Sequence, residues 1–154
     1  YIARRRQVVG LIHEIAGEDG FAWNERLLML KPGYDKQGDK ILNTPMYKDY
    51  YSPASADRAL GRIREILDHL TQQIKSQQAR GSAYLVGDTL TAAAVHWAYF
   101  SQMLNPYPHE QNPMPSFLRK SWGVVASSLE TYDPVLIEQR DAIFTGHLEL
   151  PIDF

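Results

Sequence analysis

The chain has 154 residues and contains no cysteine. Its 16 Lys and Arg residues and 18 Asp and Glu residues give a formal net charge of −2. This balance argues against a nucleic-acid partner, and the missing cysteines exclude disulfides and thiolate chemistry from these residues. No apolar run approaches the roughly 20 residues of a membrane span. We therefore expect one domain, residues 1–154, with no membrane or nucleic-acid partner, in a reducing compartment such as the cytoplasm. Because the first residue is Tyr1 rather than Met, we also expect a preceding segment.

The segment from Ile2 to Ala16 has the apolar spacing of a helix. The residues of the stripe, three and four positions apart, are Val8, Leu11, Ile12 and Ile15. The run Arg4–Arg6 at its start is either a solvated or partner-contacting face or a site for phosphate or carboxylate. Gly17 and Gly20 predict that the helix stops there.

A second helical segment runs from Phe21 to Lys31, and Pro32 with Gly33 predicts its end. Residues 32–51 then show no helical period and carry four tyrosines. This pattern predicts a long, packed loop that either covers a cleft or forms a surface flap.

Ser52 followed by Pro53 predicts the start of a long amphipathic helix, since serine caps helices and proline is tolerated in their first turn. Its apolar seam consists of Leu60, Ile63, Leu67, Leu70 and Ile74. Such a seam packs in a bundle or pairs with another chain, and we favour the bundle.

Residues 84–104 are the most informative stretch. A turn at Gly87 and Asp88 precedes Thr91, which we predict to be the N-cap of the next helix, with its hydroxyl accepting a backbone hydrogen bond. Leu90 and Val95 are placed to form a hydrophobic staple across that cap. The helix that follows is apolar on most sides, which predicts a buried central helix, and we expect His96 to bond to a neighbouring group.

Prolines between Asn105 and Pro115 predict a connector, followed by a helix from Ser116 to Glu130. Asp133 and Pro134 predict the start of a last helix that Gly146 closes. The tail HLELPIDF is expected to pack irregularly on the bundle or to face a partner domain. The predicted fold is thus an all-α bundle of about six helices around a buried central helix.

The stretch 84–104 resembles the motif "lvGd.lTxAD" before the central helix of the C-terminal domain of glutathione S-transferases. The residues that match it are Gly87, Asp88, Leu90, Thr91, Ala93 and Val95. Ala94 stands where that family usually places an aspartate, so the capping box is half present.

This resemblance implies that a thioredoxin-like N-terminal domain, absent from these residues, binds glutathione as co-substrate and activates its thiol. The helical domain then supplies a site for a small apolar electrophile and contacts in a homodimer. The resemblance places the first helical arm at that site, where we expect His13, Trp23 and Arg26 to bind substrate because each combines a polar head with reach. The alternatives are a partly buried structural His13, a core Trp23 and an Arg26 paired with a carboxylate.

No catalytic residue is predicted within the chain itself. The five histidines are dispersed without the spacing of a metal site, and no phosphate-binding loop, dinucleotide fingerprint or nucleophile elbow occurs. The alternative function is therefore a non-catalytic interaction and assembly module with the same fold.

Overall fold

A computed structural model describes residues 2–152, which form seven α-helices and two 3-10 helices. The α-helices are α1 (Ile2–Ala16), α2 (Phe21–Gln37), α3 (Pro45–Tyr50), α4 (Pro53–Gln78), α5 (Ala92–Phe100), α6 (Ser116–Ser128) and α7 (Val135–His147). The 3-10 helices cover Gly38–Asn43 and Ser101–Met103. No strand is formed within residues 2–152, so the predicted all-α bundle is confirmed. None of the helices in this range has both the length and the apolarity that crossing a membrane requires.

Helix α4 provides the longest strip of the core. Ile63, Ile66, Leu70 and Ile74 are at most 1% exposed, and burial of each stabilises the fold by about 1.5–3 kcal/mol. The helix starts as predicted, because the Ser52 hydroxyl accepts a hydrogen bond from the backbone N–H of Ser55. It packs against α2 and α7.

Helix α5 lies against α1 and α7, with its alanine-rich face and Trp97 fully buried. The indole Nε1 of Trp97 donates to the carbonyl of Leu136 at 2.9 Å, and its ring meets Phe21 edge to face at 5.6 Å. The helix predicted to be buried is buried only in part, since Tyr99 is 42% exposed. The described neighbours of this helix, α1 and α7, leave part of its surface to solvent. His96 Nδ1 bonds to the carbonyl of Ala92 at 2.8 Å, as expected.

Thr91 occupies the N-cap position of α5, but the predicted side-chain cap is wrong. Its hydroxyl is buried without a partner within residues 2–152, and the helix begins on the backbone bond from Val95 N–H to the Thr91 carbonyl. With Ala94 in place of an acid, no carboxylate returns to the cap backbone. Leu90 is 36% exposed and Val95 half-buried, and the staple between them stays a prediction.

Arg4 of α1 instead binds the turn that precedes α5. The guanidinium of Arg4 donates to Asp88, Thr89 and the Val86 carbonyl, while the Ser82 hydroxyl donates to the Gly87 carbonyl. Gly87 has φ +70°, and a Cβ there would lie 2.6 Å from Arg4 Cζ. The left-handed backbone conformation therefore favours glycine at this turn.

The predicted loop at residues 32–51 is wrong. Helix α2 continues through Pro32 to Gln37, and a 3-10 helix and α3 follow. The tertiary contacts offset the local cost of proline: the Tyr47 hydroxyl donates to the Leu30 carbonyl at 2.8 Å and lies directly on Gly33. The tyrosines are packed as expected. The ring centroid of Tyr51 lies 5.3 Å from that of Tyr34 and 5.3 Å from that of Tyr47.

The connector after α5 is tied down by buried polar side chains. Gln102 accepts from Asn112 and from the backbone of Tyr107, and Arg119 donates to the carbonyls of Tyr107 and Asn112. Ile152 in the tail is buried and its N–H donates to the Gln111 carbonyl at 2.7 Å. The tail prediction also covers Asp153 and Phe154, which lie outside the described residues.

The last two helices start as predicted but end differently. Helix α6 ends at Ser128, two residues before the predicted Glu130. The Asp133 carboxylate accepts from the backbone N–H of Val135 at 3.0 Å, which supports the start of α7. Gly146 lies inside α7 rather than closing it, since the helix runs to His147.

Candidate functional site

Trp23 and Arg26 meet through Tyr50 on the surface between α2 and α3. The rings of Trp23 and Tyr50 lie 6.2 Å apart at 65°, and Arg26 Cζ lies 5.3 Å from the centre of the Tyr50 ring. Trp23 and Arg26 are neighbours on α2, since residues three apart share a helix face. Arg26 forms no ion pair within residues 2–152, so the alternative of a carboxylate partner is not supported there.

A cavity of about 410 Å³, here called the α2–α3 cavity, opens beside this aromatic pair. Trp23, Leu27, Tyr50 and Tyr51 supply its apolar surface. The charged residues around it are Glu18, Asp19, Lys48, Asp49 and Arg58. An aromatic wall with charges of both signs suits a flat apolar ligand that carries a polar substituent.

The floor of the α2–α3 cavity is set by a second, smaller core. Leu27, Tyr51, Ala56 and Ala59 are buried together, so α2 and the start of α4 hold Tyr51 in place. The Tyr51 hydroxyl is buried without a hydrogen-bond partner among residues 2–152. Burial raises the pKa of Tyr51, and this group is therefore a neutral phenol at physiological pH.

His13 lies apart from Trp23 and Arg26. It is exposed in the last turn of α1 and does not line the α2–α3 cavity. Its ring folds over the next turn, where a Cβ at Gly17 would lie 2.0 Å from His13 Nδ1. The alternative of a partly buried imidazole is wrong, because the apolar stripe of α1 turns the ring towards solvent.

Glu25 is the functional candidate that the sequence analysis missed. It is 0% exposed, both carboxylate oxygens lack a partner within residues 2–152, and burial raises its pKa from 4.5 to about 8. The helical spacing from Phe21 through Glu25 to Leu28 was a signal for it, since all three positions share one face of α2. At neutral pH this carboxyl is largely protonated.

The described residues hold no group of three or more His, Cys, Asp or Glu side chains that could bind a metal ion. Comparison of the chain with models of known families, with curated proteins and with solved structures found no match.

Proposed function

We propose that this chain is the C-terminal helical domain of a glutathione transferase-like protein and forms the electrophile side of a glutathione conjugation or thiol-transfer site. The observation that carries the proposal is α5 and its approach: a left-handed Gly87 before Asp88, Thr91 at the N-cap position, and a helix whose Trp97 is fully buried. Gly87, Asp88 and Thr91 belong to the motif that resembles the family, and Trp97 lies in the helix that follows it.

The electrophile is assigned to the α2–α3 cavity. Trp23 and Tyr50 offer ring surface to a small aromatic electrophile, and Arg58 places positive charge near electron-withdrawing groups on it. Arg26 does not line the cavity and packs on the Tyr50 ring. Conjugation requires only that such a molecule be desolvated beside a thiolate. In this proposal a thioredoxin-like domain holds glutathione and supplies the thiol-activating residue, in the reducing cytoplasm.

The outer face of α1 is suited to that missing domain or to the second subunit of a homodimer. Ile2 is 66% exposed and Val9 58%, and both border an open groove of about 530 Å³ with Arg5, Arg6 and Gly10. Exposed apolar side chains next to cations are typical of a surface that another protein covers. The same face favours the second candidate function, an interaction and assembly module without turnover.

Fluorescence of the chain tests the site. Titration with 1-chloro-2,4-dinitrobenzene should quench tryptophan emission saturably, because half-buried Trp23 lines the cavity whereas Trp97 and Trp122 are buried elsewhere. Trp23→Phe should weaken binding of this electrophile at least about tenfold or abolish the quenching. The matched control Trp122→Phe should leave both intact.

Calorimetry tests the division of labour. Glutathione added to residues 1–154 should give no saturable heat, since its site lies in the other domain. Tight glutathione binding by this chain alone would refute that division, and unchanged quenching in Trp23→Phe would refute the cavity. Electrophile binding to the chain without conjugation by the protein joined to its thioredoxin-like domain would favour the assembly module.

A further inference from the structure

An apolar groove lies between α2 and α6, on residues that the proposed function does not use. Leu28, Met29 and Pro32 line it from α2, and Lys120, Ser121, Val124 and Val125 line it from α6, around a volume of about 160 Å³. We call it the α2–α6 groove. Val124 is 57% exposed, and Phe117, two turns earlier on α6, is 70% exposed.

Three serine hydroxyls of α6 need no solvent molecule as a hydrogen-bond acceptor. The hydroxyls of Ser121, Ser127 and Ser128 donate to backbone carbonyls four residues earlier, at 2.9, 2.8 and 3.0 Å. Of these serines, Ser121 lines the groove, and its hydroxyl donor is already used and needs no partner there.

Lys120 is the charged residue that lines the α2–α6 groove, and within residues 2–152 no aspartate or glutamate lines it. One turn beyond Pro32, α2 carries Lys36 and Asp35, and Asp35 is paired with Lys31 at 3.1 Å. Lys36 and Lys120 are exposed, and neither forms an ion pair within the part of the chain that the structure describes.

We propose that the α2–α6 groove binds an acidic amphipathic helix of a partner protein. The partner inserts one apolar side chain beside Val124 and Met29, lays further apolar residues on Phe117, and sets carboxylates against Lys36 and Lys120. A second copy of this chain fits less well, because a two-fold contact presents the same cationic patch to itself. The small groove volume suits a single anchoring side chain.

The test uses two synthetic probes. One is a fluorescein-labelled amphipathic helix with leucines recurring every three or four residues and glutamates flanking them, and the other carries lysines in place of the glutamates. Fluorescence anisotropy with the chain should show saturable binding of the glutamate helix, at least about tenfold tighter than that of the lysine helix. Added salt should reduce this preference.

Three variants sharpen the test. Val124→Gln should weaken binding of the glutamate helix at least about tenfold, and Lys120→Glu should reverse the preference between the probes. The control Met46→Gln changes a similarly exposed apolar residue on α3, 59% exposed, and should bind like the parent chain. Circular dichroism verifies that each variant is folded.

Several results would overturn the proposal. These are equal binding of the two probes, no saturable binding of the glutamate helix, or no effect of Lys120→Glu. Sedimentation that shows a dimer of the parent chain, dissociated by Val124→Gln and not by Met46→Gln, would assign the groove to a second copy instead.

Discussion

At the scale of single residues, Glu25 is the most unusual group in the described chain. A carboxyl with no exposure and no hydrogen-bond partner within residues 2–152 stays in the core only as the neutral acid, because an unpaired buried charge is very costly. Its pKa of about 8 expresses that cost, and burial is its cause.

This residue gives the fold a defined pH dependence. The folded pKa of about 8 lies above the ordinary 4.5, so the folded state holds the proton more tightly than the unfolded state does. The contribution of Glu25 to stability is therefore fully present below pH 4.5 and is lost as the pH rises from 4.5 to 8. At about 1.4 kcal/mol per pH unit the loss is on the order of several kcal/mol.

Glu25→Gln should remove this dependence, because the amide does not ionise. We expect the variant to be more stable than the parent chain at pH 8 and to lose that advantage near pH 4, in urea unfolding followed by circular dichroism. Glu18→Gln, which changes an exposed carboxylate, is the control and should behave like the parent chain at both pH values. A parent chain whose stability relative to Glu25→Gln does not fall between pH 5 and pH 8 would contradict the burial of Glu25.

At the scale of elements, α2 shows how packing overrides a local stop signal. Pro32 and Gly33 predict a helix end, yet α2 continues to Gln37 with Tyr47 of α3 packed on Gly33. A helix turn that contains proline loses one hydrogen bond, and burial against α3 and α4 offsets that loss. Gly33 is thus a contact point rather than a terminator.

Gly33→Ala should therefore destabilise the protein. Alanine normally stabilises a helix interior relative to glycine by about 0.5–1 kcal/mol, but here its Cβ would lie 2.0 Å from the Tyr47 hydroxyl oxygen. We expect a net loss of about 1–3 kcal/mol in denaturant unfolding, with partial recovery when Tyr47→Phe is added. Gly61→Ala in α4, where a Cβ meets nothing within 4 Å, should instead stabilise. Equal effects at the two positions would contradict the close packing of α3 on α2.

At the scale of the whole molecule, Trp97 connects three helices. It belongs to α5, touches Phe21 of α2 and donates a hydrogen bond to the Leu136 carbonyl in α7. Because Trp97 joins helices that are distant in sequence, its replacement should destabilise the whole bundle. Unfolding of a Trp97 variant should therefore remain a single transition.

Trp97→Phe should lower the free energy of unfolding by about 1–3 kcal/mol, since it removes the buried donor and leaves a small cavity. Urea unfolding at neutral pH measures the change, with Trp23→Phe, a half-buried position, expected to cost less than about 1 kcal/mol. A smaller loss at Trp97 than at Trp23 would show that α5 is not central to the fold.

Only part of the candidate site can be predicted from the sequence. Trp23 and Arg26 were identified from their type and position, and the structure brings them together through Tyr50. That contact depends on α3, which was mistaken for a loop because its tyrosines and Pro45 carry no helical period. His13 lies on the exposed side of α1, and its ring packs over the turn at Gly17.

The sequence by itself determined the features that depend on near neighbours in the chain. The stripe of α4 from Ile63 to Ile74, the Ser52 cap and the Asp133 bond at α7 follow from helical spacing and from donors a few residues away. Only the tertiary structure decided that α2 continues past Pro32, that Glu25 is buried and that Thr91 leaves its hydroxyl without a partner within residues 2–152. The physical reason is that burial and the offsetting of a local penalty depend on which distant residues cover a position, and those residues do not appear in any local pattern.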